Sequence, residues 1–214
     1  MQRFDFSLYL VTDQQACKGR DLFAVVASAV EGGVDIVQIR EKQLPEKDFL
    51  YKALKLKEVL DRCGVPLIVN DNLHVAMQCN AAGIHVGNND ISATSIKSTW
   101  PDCKIIGCSL EFEDQLQNRD THVADYLALS PVFATPTKRD TITVWGLDGL
   151  KRIRSLTKKP LVAIGNIDAS NAAAVMRSGA DCLAVVSAIC SADHPAKAAA
   201  AIRNEIEKVK TPGA

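Results

Sequence analysis

The sequence lacks the features that define several large classes of protein. Its cysteines form no C-x-x-C pair, and their number, seven, is odd, so neither a zinc site nor a disulfide framework is indicated. No segment approaches the roughly 18 apolar residues that span a membrane. The amino terminus has neither the cationic start nor the apolar stretch of a signal peptide. We therefore expect a water-soluble, cytoplasmic protein whose thiols are reduced and mostly buried.

An excess of charge of one sign is also absent. Lys and Arg together number 25, as do Asp and Glu, so the formal net charge is +0. The chain as a whole therefore has no field that attracts nucleic acid or an anionic membrane, and we expect neither as a partner. Anions must be recognised by local groups. A homo-oligomer is compatible with this composition.

Eight short apolar runs rich in Val, Ile and Leu are the main feature that is present. Each precedes a longer amphipathic segment; in one of these, Leu22, Val25 and Ala29 fall on one helical face and Gly32 ends the pattern. Strands that are apolar throughout and alternate with helices indicate a parallel sheet covered by helices. The runs are 8–12, 34–40, 66–70, 83–87, 104–109, 125–130, 160–165 and 181–187.

Eight such units in 214 residues fit a single-domain (β/α)8 TIM barrel of the α/β class. We expect one barrel domain over residues 1–214, with a short flexible tail after about residue 210. The alternative is an open doubly wound sheet, but no G-x-G-x-x-G follows the first strand. In a barrel, functional groups lie at the carboxyl ends of the strands, and loops after strands 7 and 8 often hold phosphate.

Polar residues follow the carboxyl ends of most predicted strands. Because those ends meet at one mouth of a barrel, we expect these side chains to converge there. From the second strand to the eighth they are Gln38, Arg40, Lys42, Asn70, Asp71, Asp90, Ser109, Thr135, Thr137, Lys138, Gly165, Asn166, Val186 and Ser187.

Two carboxylates at neighbouring strand ends, Asp71 and Asp90, are candidate ligands for one Mg²⁺ ion. Magnesium prefers few carboxylates, keeps several waters and completes its octahedron with phosphate oxygens. No cluster of His and Cys competes for a softer metal. The alternative for each is a helix cap, before residues 73–78 for Asp71 and before residues 91–97 for Asp90.

Three basic residues are candidate ligands for anions. Arg40 and Lys42 alternate with Glu41, which places both cations on one side of an extended stretch, where they can clamp a diphosphate. The alternative is a solvated charge run on a loop. Lys138 follows a Thr-Pro-Thr sequence whose hydroxyls and amides can bind a second anion, or it is simply an exposed lysine after a turn.

The remaining strand-end residues and the histidines are less specific. Gly165 permits close backbone approach to a phosphate, or it serves only the turn, while Ser187 offers a hydroxyl or an amide. His85 lies within a strand, and we interpret it as a hydrogen-bonded barrel residue. No Ser/His/Asp or Cys/His arrangement and no Schiff-base lysine is indicated.

These motifs, in this order, resemble the thiamine-phosphate synthase family, also called thiamine-phosphate pyrophosphorylase. The resemblance covers nearly the whole chain. It rests on LYLVTD, VQIREK, IVND, GIHVGNND, GCS, SPVFATPTK and AIGNI.

The resemblance implies an enzyme that transfers an aminopyrimidine methyl group from its diphosphate to the ring nitrogen of a hydroxyethylthiazole phosphate, with one Mg²⁺ per active site. Diphosphate would depart first, leaving a cation that the thiazole captures. Asp71 and Asp90 would hold the metal. The pyrimidine diphosphate would meet Gln38, Arg40, Lys42, Asn70, Ser109 and Lys138, of which Arg40, Lys42, Ser109 and Lys138 would act in catalysis. The thiazole phosphate would meet Thr135, Pro136, Thr137, Gly165, Asn166, Val186 and Ser187.

The sequence also departs from the family pattern. Asn166 stands where a second glycine is usual, next to the expected thiazole phosphate, and its bulk can crowd that anion although Asn tolerates left-handed backbone. GNND replaces GQED but keeps Asp90, and Asn72 is left as a cap or a neighbouring group. Two other functions stay open: a thiazole tautomerase-like isomerase, which places a histidine where Leu110 stands, and a non-catalytic phosphate-binding barrel.

Overall fold

The computed structural model describes residues 4–134 and 143–211, and within them eight parallel strands close into a barrel. Each strand pairs with the next, and the eighth pairs with the first. The predicted (β/α)8 barrel is confirmed, and the open doubly wound sheet is wrong because the sheet has no edge. The strands are β1 Leu8–Val11, β2 Ile36–Ile39, β3 Leu67–Asn70, β4 Gly83–Val86, β5 Ile105–Leu110, β6 Tyr126–Leu129, β7 Leu161–Ile164 and β8 Cys182–Val185.

Helices follow the strands and cover the outside of the barrel. A 3-10 helix at Glu113–Gln117 precedes the helix after β5, and two helices follow β8. The helices are α1 Leu22–Glu31, α2 Glu46–Asp61, α3 Leu73–Gln78, α4 Ala93–Thr99, α5 Arg119–Val123, α6 Gly146–Leu156, α7 Ala172–Arg177, α8 Ser187–Cys190 and α9 Pro195–Lys210. No helix in the described ranges has the length and apolar character that a bilayer span requires. The predicted tail falls largely on residues 212–214, outside the described residues.

The first helix shows how local sequence sets these elements. Asp21 is the N-cap of α1, and its carboxylate accepts from the backbone N–H groups of Phe23 and Ala24. The helix ends at Gly32, where an added Cβ would lie 2.2 Å from the carbonyl oxygen of Ala196 in α9. Glycine at this position therefore lets α1 and α9 pack closely and brings the last helix of the chain against the first.

The apolar side chains form two layers, one between the strands and the helices and one inside the barrel. Side chains on a strand alternate between these two layers. The inner layer begins with buried apolar and aromatic groups such as Ile36, Ile68 and Tyr126. Two residues further along β2 and β3 the inward positions carry Gln38 and Asn70. The barrel interior therefore changes from apolar to polar towards the carboxyl ends of the strands.

Candidate active site

Two adjoining cavities open at the carboxyl ends of the strands. The first has a volume of about 180 Å³ and the second about 80 Å³. Arg40 and Ser130 line both. Of the predicted site residues, those that line the first cavity are Gln38, Arg40, Lys42, Asn70, Asp71, Asp90 and Ser109. Those that line the second cavity are Arg40, Gly165, Asn166, Val186 and Ser187. The predicted residues Thr135, Pro136, Thr137 and Lys138 lie outside the described residues.

Asp71 has an unusual backbone conformation at the rim of the first cavity. Its φ is +62°, in the left-handed region that L-residues rarely adopt and that Asn and Asp tolerate best. Its backbone N–H donates to the carbonyl of His85 on the neighbouring strand, at 2.9 Å. Its carboxylate meets the ammonium group of Lys42 at 2.6 Å. The turn after β3 thus holds this carboxylate at the mouth, beside a cation.

Asp90 reaches the same place from the loop after β4. Its Oδ2 accepts from the backbone N–H of Gly87 at 2.9 Å. The surrounding protein removes part of its hydration, which raises the pKa of the Asp90 carboxyl, and a hydrogen bond with the Asp71 carboxyl raises it further. The two carboxyl groups therefore influence each other, and both line the first cavity. Two carboxylates held this close repel each other unless a cation or a proton lies between them.

Neither carboxylate caps a helix, so that alternative is wrong for both. The N-cap of α3 is Asn72, whose side-chain oxygen accepts from the N–H of Val75 at 2.8 Å. The N-cap of α4 is Ser92. The Asn72 amide also donates to Glu46 at 3.1 Å. Asn72 and Ser92 are therefore the caps, and the carboxylates of Asp71 and Asp90 are available to bind a ligand at the mouth of the barrel.

The donor set fits a magnesium ion. Asp71 and Asp90 offer only oxygen, which Mg²⁺ prefers, and two carboxylates leave positions for waters and phosphate oxygens. In the part of the chain that the structure describes, no group of three or more His, Cys, Asp or Glu side chains is placed to hold a metal. A softer ion therefore has no competing cage among these residues.

The basic residues after β2 line the first cavity, and Lys42 is also exposed to solvent. Glu41 turns away from the mouth and pairs with Lys52. The backbone N–H of Arg40 donates to the hydroxyl of Thr12 at 3.1 Å, which ties the start of this loop to the end of β1. Because Glu41 pairs with Lys52, the charged side chains of this stretch that line the first cavity are those of Arg40 and Lys42, and Lys42 contacts Asp71.

Asn70 contributes a buried donor that no described residue satisfies. Its side-chain nitrogen Nδ2 is inaccessible to solvent and has no hydrogen-bond partner within residues 4–134 and 143–211. A buried donor left unpaired costs about 1–3 kcal/mol. Asn70 lines the first cavity, so a ligand with an acceptor there would recover this cost.

The floor of the first cavity contains a chain of five hydrogen-bonded side chains. Gln38 donates through Nε2 to the hydroxyl of Tyr9 at 2.9 Å, and that hydroxyl lies 3.1 Å from the hydroxyl of Tyr126. The Tyr126 hydroxyl lies 2.9 Å from Nδ1 of His85, whose Nε2 lies 3.2 Å from the Ser109 hydroxyl. The interpretation of His85 as a hydrogen-bonded barrel residue is confirmed. We call Gln38, Tyr9, Tyr126, His85 and Ser109 the floor chain.

Sequence reasoning missed both tyrosines of the floor chain. Burial raises the pKa of Tyr9 and of Tyr126 far above the usual value, so both hydroxyls stay neutral and protonated. Their inward direction follows from the alternation of side chains along β1 and β6, which is the only signal that could have found them. The contact itself joins residues 117 positions apart.

Gly165 and Asn166 build the turn at the second cavity. Their φ values are +119° and +50°, so both residues have left-handed backbone. Asn166 is exposed, and its carbonyl accepts from the side-chain amide of Asn171 at 2.9 Å. Asn166 therefore adopts the left-handed backbone that Asn was expected to tolerate. The bare Gly165 backbone leaves room for a close approach to the cavity.

Gly165→Ala is expected to destabilise the fold by about 2–4 kcal/mol. An added Cβ would lie 2.5 Å from the Cβ of Pro131, and the φ of +119° adds backbone strain. Urea unfolding measures the change. Gly64→Ala is the matched control, because Gly64 has a φ of +67° but nothing within 4 Å of the added Cβ. Equal losses in the two variants would mean that the contact with Pro131 is unimportant.

Comparison with known proteins places the chain among enzymes of one family. The sequence model described as thiamine monophosphate synthase matches residues 8–189. The chain is 50% identical over 203 residues to a thiamine-phosphate synthase of Albidiferax ferrireducens, covering 94% of this chain and 92% of that one. It is 45% identical over 197 residues to a thiamine-phosphate synthase of Vibrio parahaemolyticus, covering 91% and 95%.

Solved structures are similar over nearly the whole length. A thiamine phosphate pyrophosphorylase from Pyrococcus furiosus superposes with a TM-score of 0.87 at 30% identity, covering 97% of this chain and 98% of that one. A 3-hexulose-6-phosphate synthase superposes with a TM-score of 0.70 at 17% identity, covering 93% and 99%. The second likeness shows only the shared barrel fold.

Proposed function

The chain belongs to the thiamine monophosphate synthase family, and we propose that it joins an aminopyrimidine methyl diphosphate to a hydroxyethylthiazole phosphate. The products would be thiamine phosphate and diphosphate. The observation that carries this proposal is the mouth of the first cavity, where the carboxylates of Asp71 and Asp90 lie together and the ammonium of Lys42 contacts Asp71. A cation-rich, oxygen-rich site of this kind suits a leaving diphosphate.

The pyrimidine diphosphate would occupy the first cavity. Arg40 and Lys42 would bind its phosphate oxygens, since both basic side chains line this cavity. The unsatisfied Nδ2 of Asn70 would donate to it as well. The pyrimidine ring would lie over the polar floor, between Gln38 and Ser109, which are both buried and line the cavity. The catalytic role predicted for Lys138 remains a prediction.

Asp71 and Asp90 would hold the Mg²⁺ ion, one per active site. When bound, the ion neutralises the charge that the diphosphate acquires as it leaves. The pair is supported by the position of both carboxyl groups in the first cavity, by the effect of Asp71 on the pKa of Asp90, and by the fact that other residues cap α3 and α4.

The reaction would proceed by dissociative loss of diphosphate, followed by capture of the pyrimidine cation by the thiazole nitrogen. The site contributes positioning and charge stabilisation rather than a strong base. The one histidine of the floor, His85, is engaged with Tyr126 and Ser109, and both tyrosines stay protonated. Arg40 and Lys42 would stabilise the departing diphosphate.

The thiazole phosphate would occupy the second cavity, either as the plain thiazole or as its carboxylate form. The left-handed turn at Gly165 and Asn166 and the start of α8 at Ser187 surround this cavity. Arg40 lines both cavities and would lie between the two substrates. This adjacency would bring the thiazole nitrogen close to the pyrimidine methylene carbon, which lowers the entropic barrier to bond formation.

An isomerase acting on the thiazole alone would have no use for the first cavity's charges. The chain keeps Arg40, Lys42, Asp71 and Asp90, and it has Leu110 where the isomerase relative places a histidine. A non-catalytic phosphate-binding barrel would likewise not need two carboxylates in contact. The synthase is therefore the better-supported function.

The test is an assay with both phosphorylated substrates, with Mg²⁺ or with excess chelator. We expect thiamine phosphate in the first case and a large loss of product in the second, restored by added Mg²⁺. No product with Mg²⁺ present would refute the synthase function. Full activity in chelator would refute only the metal requirement.

Asn166→Gly is expected to change the KM for the thiazole phosphate and to leave the KM for the pyrimidine diphosphate unchanged. The Asn side chain lines the second cavity and stands where its bulk crowds an anion, while Gly adopts the same φ of +50° without strain. Steady-state kinetics with each substrate varied measures both constants. An unchanged KM for the thiazole phosphate would contradict this role of Asn166.

A further inference from the structure

The floor chain links two residues that would contact the pyrimidine ring from opposite ends. Gln38 lies at one end and Ser109 at the other, and both face the first cavity. Tyr9 and Tyr126 in the middle are 1% and 0% exposed, so no water competes for their hydroxyl groups. Buried polar groups are almost always satisfied by partners in the protein, and here each hydroxyl finds those partners along the chain.

The direction of the floor chain follows from counting hydrogens. Gln38 donates through Nε2 to Tyr9, so the Tyr9 hydrogen points on to Tyr126, and the Tyr126 hydrogen points to Nδ1 of His85. As a neutral imidazole, His85 then carries its proton on Nε2 and donates to Ser109. The groups left for a ligand are the Gln38 carbonyl oxygen, an acceptor, with the second N–H of the same amide, and the Ser109 O–H, a donor.

Reversing every bond exchanges the roles of the two ends but keeps one donor and one acceptor. In either direction the two ends offer a ligand at least one donor and one acceptor, and the second N–H of Gln38 adds a further donor. An aminopyrimidine has the complementary pattern, because its amino group donates and its ring nitrogens accept. Within the proposed function, on which this step rests, the match is with the pyrimidine rather than with the thiazole.

We propose that Tyr9, Tyr126 and His85 are positioning residues that couple Gln38 to Ser109 and fix the donor and acceptor which hold the aminopyrimidine ring. They line the first cavity beside Gln38 and Ser109, and we assign their effect on the ring to the two ends of the floor chain.

The packing around Tyr126 holds the middle of the floor chain in place. A Cβ added to Gly107 would lie 2.3 Å from the Tyr126 hydroxyl oxygen, so only glycine there leaves room for it. The His85 ring stacks on the Tyr126 ring with centroids 5.6 Å apart and planes inclined by 15°. The Phe4 ring lies against Tyr126 with centroids 4.6 Å apart. The hydroxyl therefore has one position, which suits a fixed link.

Tyr126→Phe removes one hydroxyl and keeps the ring. We expect the KM for the pyrimidine diphosphate, and its dissociation constant measured alone by calorimetry, to rise about tenfold, as for the loss of one or two aligned hydrogen bonds. The KM for the thiazole phosphate should change less than about twofold, because the second cavity does not include the floor chain. A purely structural role would raise both KM values together.

Tyr51→Phe is the matched control. Tyr51 is 60% exposed on α2, away from the floor chain, so the same chemical change should leave both constants unaltered. Tyr9→Phe interrupts the floor chain at its other tyrosine and should act like Tyr126→Phe. The double variant should lose no more than a single one, since one break already uncouples the ends.

Several outcomes separate this inference from the proposed function. If the wild-type protein makes no thiamine phosphate, the function fails, and calorimetry with the pyrimidine diphosphate alone still tests the floor chain. If the wild type is active and Tyr126→Phe keeps its affinity for the pyrimidine diphosphate, the inference is overturned. A double variant with the product of the two single losses would also overturn the coupling.

The protonation of His85 can be measured on the wild-type protein, so this test does not depend on whether a variant folds. Nitrogen-15 NMR reports which ring nitrogen of His85 carries the proton. We expect it on Nε2, where it can be donated to Ser109. A proton on Nδ1 alone would reverse the floor chain and keep the coupling, whereas protons on both nitrogens would break the alternation of donors and acceptors and overturn it.

Discussion

Asp71→Asn is expected to lower kcat/KM by about 10²–10³-fold and to raise the Mg²⁺ concentration needed for half-maximal rate. The change replaces one carboxylate oxygen by an amide and removes the charge that faces Asp90 and Lys42. Asn is the sharpest substitution because the backbone φ of +62° suits Asn as well as Asp, whereas Ala would add strain. Steady-state kinetics across a range of Mg²⁺ concentrations measures both effects.

Asp61→Asn is the matched control for Asp71→Asn. Asp61 is an exposed carboxylate at the end of α2 that pairs with Lys57 at 2.7 Å, so its change should leave the kinetics unaltered. Thermal unfolding of Asp71→Asn should match the wild type closely. Wild-type kinetics and Mg²⁺ dependence in Asp71→Asn would show that this carboxylate does not hold the metal.

Arg40→Gln is expected to lower kcat/KM by about 10²–10³-fold, with increases in the KM values of both substrates. Arg40 is the only one of the predicted site residues in the described ranges that lines both cavities. Gln keeps a polar side chain of similar reach but removes the charge and the forked donors that bind phosphate. The backbone bond from Arg40 to Thr12 does not depend on the side chain and should persist.

Arg62→Gln is the matched control for Arg40→Gln, because Arg62 is an exposed residue after α2, away from both cavities. It should leave kcat and both KM values unchanged. A loss in Arg40→Gln confined to the thiazole phosphate KM would mean that Arg40 does not bind the diphosphate. If Arg40→Gln had wild-type kinetics, Arg40 would bind neither substrate.

The sequence was sufficient to predict the barrel and the position of its mouth. Strands that are buried on both faces are apolar throughout, so their ends can be seen where polar residues resume. Seven of the eight strands lie within the predicted runs, and β5 extends one residue further, to Leu110. The same reading placed Asp71 and Asp90 after neighbouring strands, and in the structure both line the first cavity.

Details that depend on single residues or on distant contacts were less predictable. Asp71 and Asn72 are both good caps, and only the backbone, which turns left-handed at Asp71, assigns the cap to Asn72. Tyr9 and Tyr126 look like ordinary core aromatics in the sequence. Their link to Gln38 requires three different strands to be placed around the barrel. Local pattern carries no information about such a contact.

Each of the two cavities would bind one substrate, and the protein would join the two. The most direct measurement is phosphorus-31 NMR of a reaction with Mg²⁺ and both substrates, run beside two reactions that each omit one substrate. The account predicts one diphosphate released for each thiamine phosphate formed, and neither product when a substrate is omitted. Thiamine phosphate failing to form when both substrates and Mg²⁺ are present would contradict it.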